Sequence, residues 1–141
     1  MTNTENIEIV VDLSSTFWKL APKAKVYIDN NLIFDAEVKG PHKIQWAGVL
    51  ENGDHSLIVE LYDKDKYQTV LEDGQIIKDQ LLNIDAVSFD DIDIGFLKHT
   101  LSNYYPNTQV ETIKNCVNLG VNGKWELKFK SPIYIWLLEH M

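Results

Sequence analysis

The sequence predicts an all-β fold, a two-sheet antiparallel β-sandwich of jelly-roll-like form with a short C-terminal helix. Three observations carry that expectation. Apolar residues recur at every second position in segment after segment, as strands with one buried face require. Pairs of Asp, Asn and Gly separate these segments, and such residues tolerate the left-handed backbone of tight hairpins. No long stretch of helical periodicity intervenes, which disfavours a parallel α/β architecture.

The elements follow in order. Ile7, Ile9, Val11 and Leu13 share one face of a first strand while Glu8 and Asp12 face water. After the polar Ser14-Ser15-Thr16 stretch, Val26 and Ile28 mark a second strand, Asp29-Asn30-Asn31 a hairpin turn, and Leu32, Phe34, Ala36 and Val38 the return. Gly40-Pro41 ends it, and Lys43 to Val49 forms the next strand. The turn Glu51-Asn52-Gly53-Asp54 leads into a well-defined strand with Leu57, Val59 and Leu61 opposed to Ile58, Glu60 and Tyr62. Residues 63–75 read as a polar loop or loose hairpin.

From Ile76 to Phe89 the β pattern resumes, but Leu82 and Ile84 fall out of phase with Val87 and Phe89, which predicts a bulge near Ala86-Val87. Asp90-Asp91 is a turn, and Ile92, Ile94 and Phe96 form another strand. Between Leu101 and Asn122 the alternation dissolves. Tyr104-Tyr105-Pro106-Asn107 reads as loop, and Val110 to Val117 fits a short helix or a strand. Trp125, Leu127 and Phe129 restore the alternation over Lys124–Lys130. Ser131 and Pro132 suit an N-cap and first helical position, so the tail from Ile133 to Met141 reads as a helix of about two turns. Its rival is a strand, because Ile133, Tyr134, Ile135 and Trp136 all favour one. The expected core is Ile9, Val11, Ile28, Phe34, Val59, Leu61, Ile84, Ile94, Trp125, Leu127 and Phe129.

A chain of 141 residues with 45% hydrophobic and 11% aromatic residues is expected to form one domain over 1–141 around one core. Cys116 is the only cysteine, so no intramolecular disulfide forms, and a spectator thiol is the expected role. The polar N-terminus lacks the basic and apolar regions of a signal peptide, and no apolar run is long enough to span a bilayer. Synthesis in the cytoplasm, with association to a virion as an option, is the expected location. The 13 basic residues are all lysine and face 21 acids, for a net charge of -8. An acidic chain without arginine is a poor partner for phosphate backbones, so nucleic acid is excluded as a partner.

Ten of the acids crowd residues 60–93 against three lysines. Within that span Asp63, Asp65, Glu72 and Asp73 are candidate calcium ligands, because calcium takes six to eight hard oxygen donors. Lys64 and Lys66, alternating with Asp63 and Asp65 along an extended chain, are expected to point away from them. Trp18, Trp46, Tyr62, Tyr67, Tyr104 and Tyr105 fall in or near loops or on outward strand positions. They are candidate sugar platforms, since pyranose rings stack on exposed aromatic faces beside hydrogen-bonding groups. Nothing resembles a glycine-rich nucleotide loop, a nucleophile elbow or zinc-ligand spacing among His42, His55, His99 and His140. Asp90, Asp91 and Asp93 offer a carboxylate pair of the kind glycosidases use, but turn aspartates are the simpler reading. No enzyme activity is expected.

The stretches Lys25-Val26-Tyr27-Ile28-Asp29, Gly53-Asp54-His55-Ser56-Leu57 and Leu61-Tyr62-Asp63-Lys64-Asp65 resemble the core of calcium-dependent, xylan-binding-like carbohydrate modules. Asp93-Ile94-Gly95, Asn122-Gly123-Lys124-Trp125-Glu126-Leu127 and Ser131-Pro132-Ile133-Tyr134-Ile135-Trp136-Leu137-Leu138 are similar to small modules in proteins of large tailed phages. The resemblance implies a jelly-roll-like sandwich without catalysis and a partner that is either a glycan or another virion protein. The tryptophan-rich, calcium-anchored loop of the xylan-binding type has no counterpart after Phe89. A non-catalytic carbohydrate-binding module is therefore the leading expectation, and a structural or accessory tail or capsid protein the alternative.

Overall fold

A computed structural model describes residues 3–107 and 111–140. Val110, where the ambiguous segment begins, and Met141, the last residue of the tail, lie outside them. The strands are β1 (Thr4–Thr16), β2 (Lys23–Ile28), β3 (Asn31–Glu37), β4 (His42–Glu51) and β5 (Gly53–Tyr62). A 3₁₀ turn at Lys66–Gln68 precedes β6 (Val70–Glu72), β7 (Gln75–Lys78), β8 (Leu81–Phe89) and β9 (Ile92–Asp93). A one-turn helix α1 (Leu97–Thr100) leads to β10 (Ser102–Pro106), β11 (Ile113–Lys114), β12 (Asn118–Leu119), β13 (Gly123–Ser131) and helix α2 (Ile133–His140).

Two antiparallel sheets face each other. One has the order β12-β8-β1-β4, with β9 on β8, and the other runs β11-β10-β13-β5-β2-β3. The strand pairings are antiparallel throughout. The architecture is thus the all-β sandwich with one short C-terminal helix that the period-two pattern predicts. Phe34, Val26, Val59, Trp125 and Tyr104 pair in one row across five strands of the larger sheet. Trp46, Ile9 and Phe89 form a row across the smaller one. Between the sheets, the Phe89 and Phe129 rings lie 4.9 Å apart and tilted by 50°, and Trp136 of α2 meets both edge-on. Ten of the eleven expected core residues are buried; Phe34 packs against the core from the edge strand and stays half-buried.

Local chemistry sets the turns. Asp29 and Asn30 both have positive φ, as do Asp90 and Asp91, and Asp73 and Gly74. This is the backbone a two-residue hairpin needs to match strand twist. The bulge is one residue from its expected place: Asp12 pairs with Ala86 and Leu13 with Ile84, leaving Asp85 as the extra residue. A second bulge at Ile33 turns Leu32 out to solvent opposite Tyr27.

Several expectations are corrected. The Tyr104-Tyr105-Pro106 stretch is strand β10, not a loop, because Tyr104 fills the core row beside Trp125. The strand expected over Ile92–Phe96 is only two residues long, and Phe96 is exposed at the start of α1. Helix α2 forms as expected, but Ser131 is the end of β13 and its hydroxyl donates to Glu5. The Glu5 carboxylate in turn accepts the Ile133 N–H at 2.8 Å, placing an anion at the helix N-terminus from the other end of the chain.

Candidate functional site

A polar groove with aromatic neighbours lies at the end of the larger sheet where β2 begins and β3 and β5 end. It encloses about 430 Å³ between Lys23, Glu37, Asp63, Asp65, Gln68 and Gln80. The chain turns sharply there: Asp63 takes a left-handed conformation directly after β5. Its carboxylate meets the Lys23 ammonium at 2.8 Å. That hydrogen bond, reinforced by the opposite charges, holds Asp63 below the usual carboxylate range and Lys23 above the usual amine range. Asp65 caps the 3₁₀ turn, its Oδ1 accepting the Tyr67 N–H at 2.9 Å.

A buried network underlies the groove. The Lys64 side chain is only 7% exposed, and its ammonium lies 2.7 Å from Asp79 Oδ1 and 2.5 Å from the Gly120 carbonyl. Asp79 also accepts from Thr69 Oγ1 at 2.6 Å and from the Gln80 N–H at 2.8 Å. Burial pushes the Asp79 carboxyl upward, but these three donors outweigh it and hold it below the usual range. Asn122 brackets the Lys64 backbone, accepting its N–H at 2.8 Å and donating to its carbonyl at 3.1 Å. Gln80 Nε2 donates to the Leu20 carbonyl at 2.7 Å, and Trp18 Nε1 donates to the Gln68 carbonyl at 2.9 Å. The 17–22 loop is thereby fixed to the groove rim. Gln68 itself is 4% exposed, and its Oε1 is buried without a hydrogen-bond partner.

The structure sorts the sequence-predicted platform residues. Trp18 and Tyr67 are 42% and 70% exposed beside the groove, with Lys78 and Lys66 ammoniums 4.7 and 5.2 Å from their ring centroids. Tyr62 lies close by on the outer sheet face, half-buried. Its hydroxyl donates to Asp35, and Lys25 sits 4.5 Å over its ring. The bond to Asp35, together with burial, pushes its phenol up to about 12. Trp46 is partly buried on the edge strand β4, where it packs against the core. Tyr104 is buried in the core rather than exposed, and burial raises its phenol to about 12. Tyr105 is exposed on the outer face of β10, opposite Lys124, and is not among the residues that line the groove.

The four acids expected to hold calcium do not converge. Asp63 and Asp65 line the groove, whereas Glu72 and Asp73 sit at the tip of the β6–β7 hairpin. Among the described residues, no three His, Cys, Asp or Glu side chains gather as metal ligands. Lysines supply the compensating charge instead: Lys23 from another strand neutralises Asp63, and Lys64 turns inward to Asp79. As folded, the four acids therefore do not fit a calcium cage. Asp90 and Asp93 are turn residues whose carboxylates accept the Glu8 and Gly95 N–H groups. Sequence reasoning missed Lys23, Glu37, Gln68 and Gln80, because no local pattern distinguishes them.

The same two-sheet sandwich fold is found in solved carbohydrate-binding modules. The chain is similar to the solved structure of vCBM60 in complex with galactobiose, with TM-score 0.55 and 10% identity over 85% of this chain and 96% of that one. It is similar also to the SeMet form of vCBM60, with TM-score 0.57 and 10% identity over 86% and 89% of the two chains. That structure accompanies a circular permutation linking two families of calcium-dependent carbohydrate-binding modules. No family model matches the sequence, and no curated protein matches it. No helix among the described residues is long and apolar enough to cross a membrane.

Proposed function

We propose that the protein is a non-catalytic carbohydrate-binding module that takes a glycan in the groove of Lys23, Glu37, Asp63, Asp65, Gln68 and Gln80. The observation that carries this reading is the occurrence, at one end of the sandwich, of two exposed aromatic side chains, Trp18 and Tyr67, next to a groove lined by carboxylates, amides and an ammonium. Trp18 and Tyr67 offer apolar faces for sugar C–H groups, while the groove's carboxylates, amides and ammonium match a ring of hydroxyls. The likeness to a sandwich solved with galactobiose supports the same assignment.

The test is a glycan array, followed by calorimetry on any hit, in millimolar calcium and in excess chelator. Binding is expected in both, because Lys23 already neutralises Asp63. Trp18→Ala and Tyr67→Ala are each expected to weaken it about tenfold, which is about 1.4 kcal/mol. Absence of any glycan ligand in either condition refutes the proposal. Binding seen only with calcium, and abolished by Asp63→Asn, refutes the lysine-neutralised groove but keeps the glycan.

One feature favours the alternative of a structural subunit acting through protein contacts. Helix α2 is apolar on its outer face as well as its inner one, with Tyr134, Ile135 and Leu138 exposed. Association that survives Trp18→Ala and is lost on Leu138→Glu supports that reading.

A further inference from the structure

Toward the other end of β5, about 25 Å from the groove along the strand, His55 occupies an unusual position. Its side chain is 10% exposed. Nδ1 lies 2.5 Å from Asp29 Oδ2, and Nε2 lies 2.6 Å from the Glu51 carbonyl oxygen. A carbonyl oxygen only accepts, and so does an ionised carboxylate, whereas a neutral imidazole carries a single N–H. Satisfying both contacts takes the imidazolium. The other Asp29 oxygen accepts the Ser56 N–H at 2.9 Å.

The two bonds join separate parts of the fold. Asp29 holds a left-handed conformation in the β2–β3 turn, and its own N–H donates to the Ser56 carbonyl at 3.0 Å. Glu51 ends β4. The imidazole ring lies 5.6 Å from the Phe129 ring of β13. Beside this junction a polar groove of about 500 Å³ is lined by Asp29, Asn30, Asp54, Glu126, Lys128 and Lys130. The charged groups around His55 are therefore Asp29 from the turn, Glu51 from β4, Asp54 from β5, and Glu126, Lys128 and Lys130 from β13, with Lys130 drawn to Asp54 at 3.9 Å.

We infer that His55 is a pH-operated latch, which ties the β2–β3 turn to the end of β4 when protonated and releases one of those ties when it loses its proton. Burial of the ring opposes the charge, but the Glu51 carbonyl and the Asp29 and Asp54 carboxylates outweigh it, holding the imidazole above its ordinary value. A folded-state value above the unfolded one fixes the sign. The latch contributes fully below about pH 6.5, the unfolded histidine value, and is lost as pH rises through the folded value. It is closed in mild acid and opens toward alkali, freeing the wall of the 500 Å³ groove.

The test is nitrogen NMR of the His55 ring in the intact chain between about pH 5 and pH 9, with amide exchange measured in parallel. Both ring nitrogens are expected to be protonated at about pH 6.5, with a midpoint above that value. Exchange at the Asp29 and Ser56 amides, corrected for its intrinsic rise with pH, is expected to step up at the same midpoint. His55→Gln is expected to abolish the step, and Asp29→Asn to lower the midpoint. A neutral ring with one fixed tautomer at about pH 6.5, or exchange with no step at the ring's midpoint, overturns the latch. The wild-type titration decides the matter even if a variant fails to fold.

Discussion

Replacing Lys64 by methionine tests the network beneath the groove. Methionine keeps most of the aliphatic volume, so the change removes the charge and its hydrogen bonds rather than opening a large cavity. Removing one partner of a buried ion pair costs about 3–5 kcal/mol, because the other charge is left uncompensated. Asp79 retains the Thr69 and Gln80 donors, which places the expected loss near the lower end, about 3 kcal/mol. For a chain of this size that is a fall in Tm of roughly 10 °C. Urea denaturation at neutral pH measures it, with an unchanged slope showing that the compactness of the two states is unaltered.

The pH dependence supplies a second check on the same pair. Asp79 titrates lower in the folded protein than in the unfolded chain. Its contribution is therefore present above the unfolded value of about 3.9 and is lost as pH falls through the lower folded value. In Lys64→Met that acid-side loss is expected to shrink. Asp79→Asn and the double variant complete a cycle whose coupling is expected to exceed about 1 kcal/mol. A cost below about 1 kcal/mol for Lys64→Met puts the pair in the range of an exposed surface bridge and refutes the reasoning.

Three further substitutions probe the packing of the fold. A Cβ on Gly123 meets the Tyr105 carbonyl oxygen at 2.5 Å and the Pro106 Cα at 2.8 Å, both backbone atoms of β10. Gly123→Ala is therefore expected to cost about 2–3 kcal/mol by overpacking, whereas Gly120→Ala, which meets the end of the Leu81 side chain at 3.2 Å and Asp79 Oδ2 at an ordinary 3.9 Å, is expected to cost under about 1 kcal/mol; thermal melting compares them. Phe129→Ala removes a buried ring in contact with Phe89 and Trp136, and urea denaturation is expected to show a loss of about 3–5 kcal/mol.

The sequence alone determined what depends on neighbours along the chain. Strands β1, β5 and β13 are legible because their apolar residues alternate, and alternation is a property of the backbone itself. The turns at Asp29-Asn30 and Asp90-Asp91 are legible because few residues accept positive φ. The phase slip between Ile84 and Val87 exposes the bulge for the same local reason. Tertiary structure decided everything that depends on which strands lie side by side. Strand β10 escaped notice because Tyr-Tyr-Pro lacks alternation, and only its place beside β13 buries Tyr104. The capping of α2 by Glu5 spans 128 positions, and the Lys23–Asp63 pair spans 40. The acidic run between 60 and 93 reads as one cluster in the sequence. The hairpin carries Glu72 and Asp73 off to its tip, β5 delivers Asp63 to Lys23, and the fold turns Lys64 inward to Asp79. Electrostatic partners are chosen by distance in space, and sheet order, which no local pattern encodes, sets those distances.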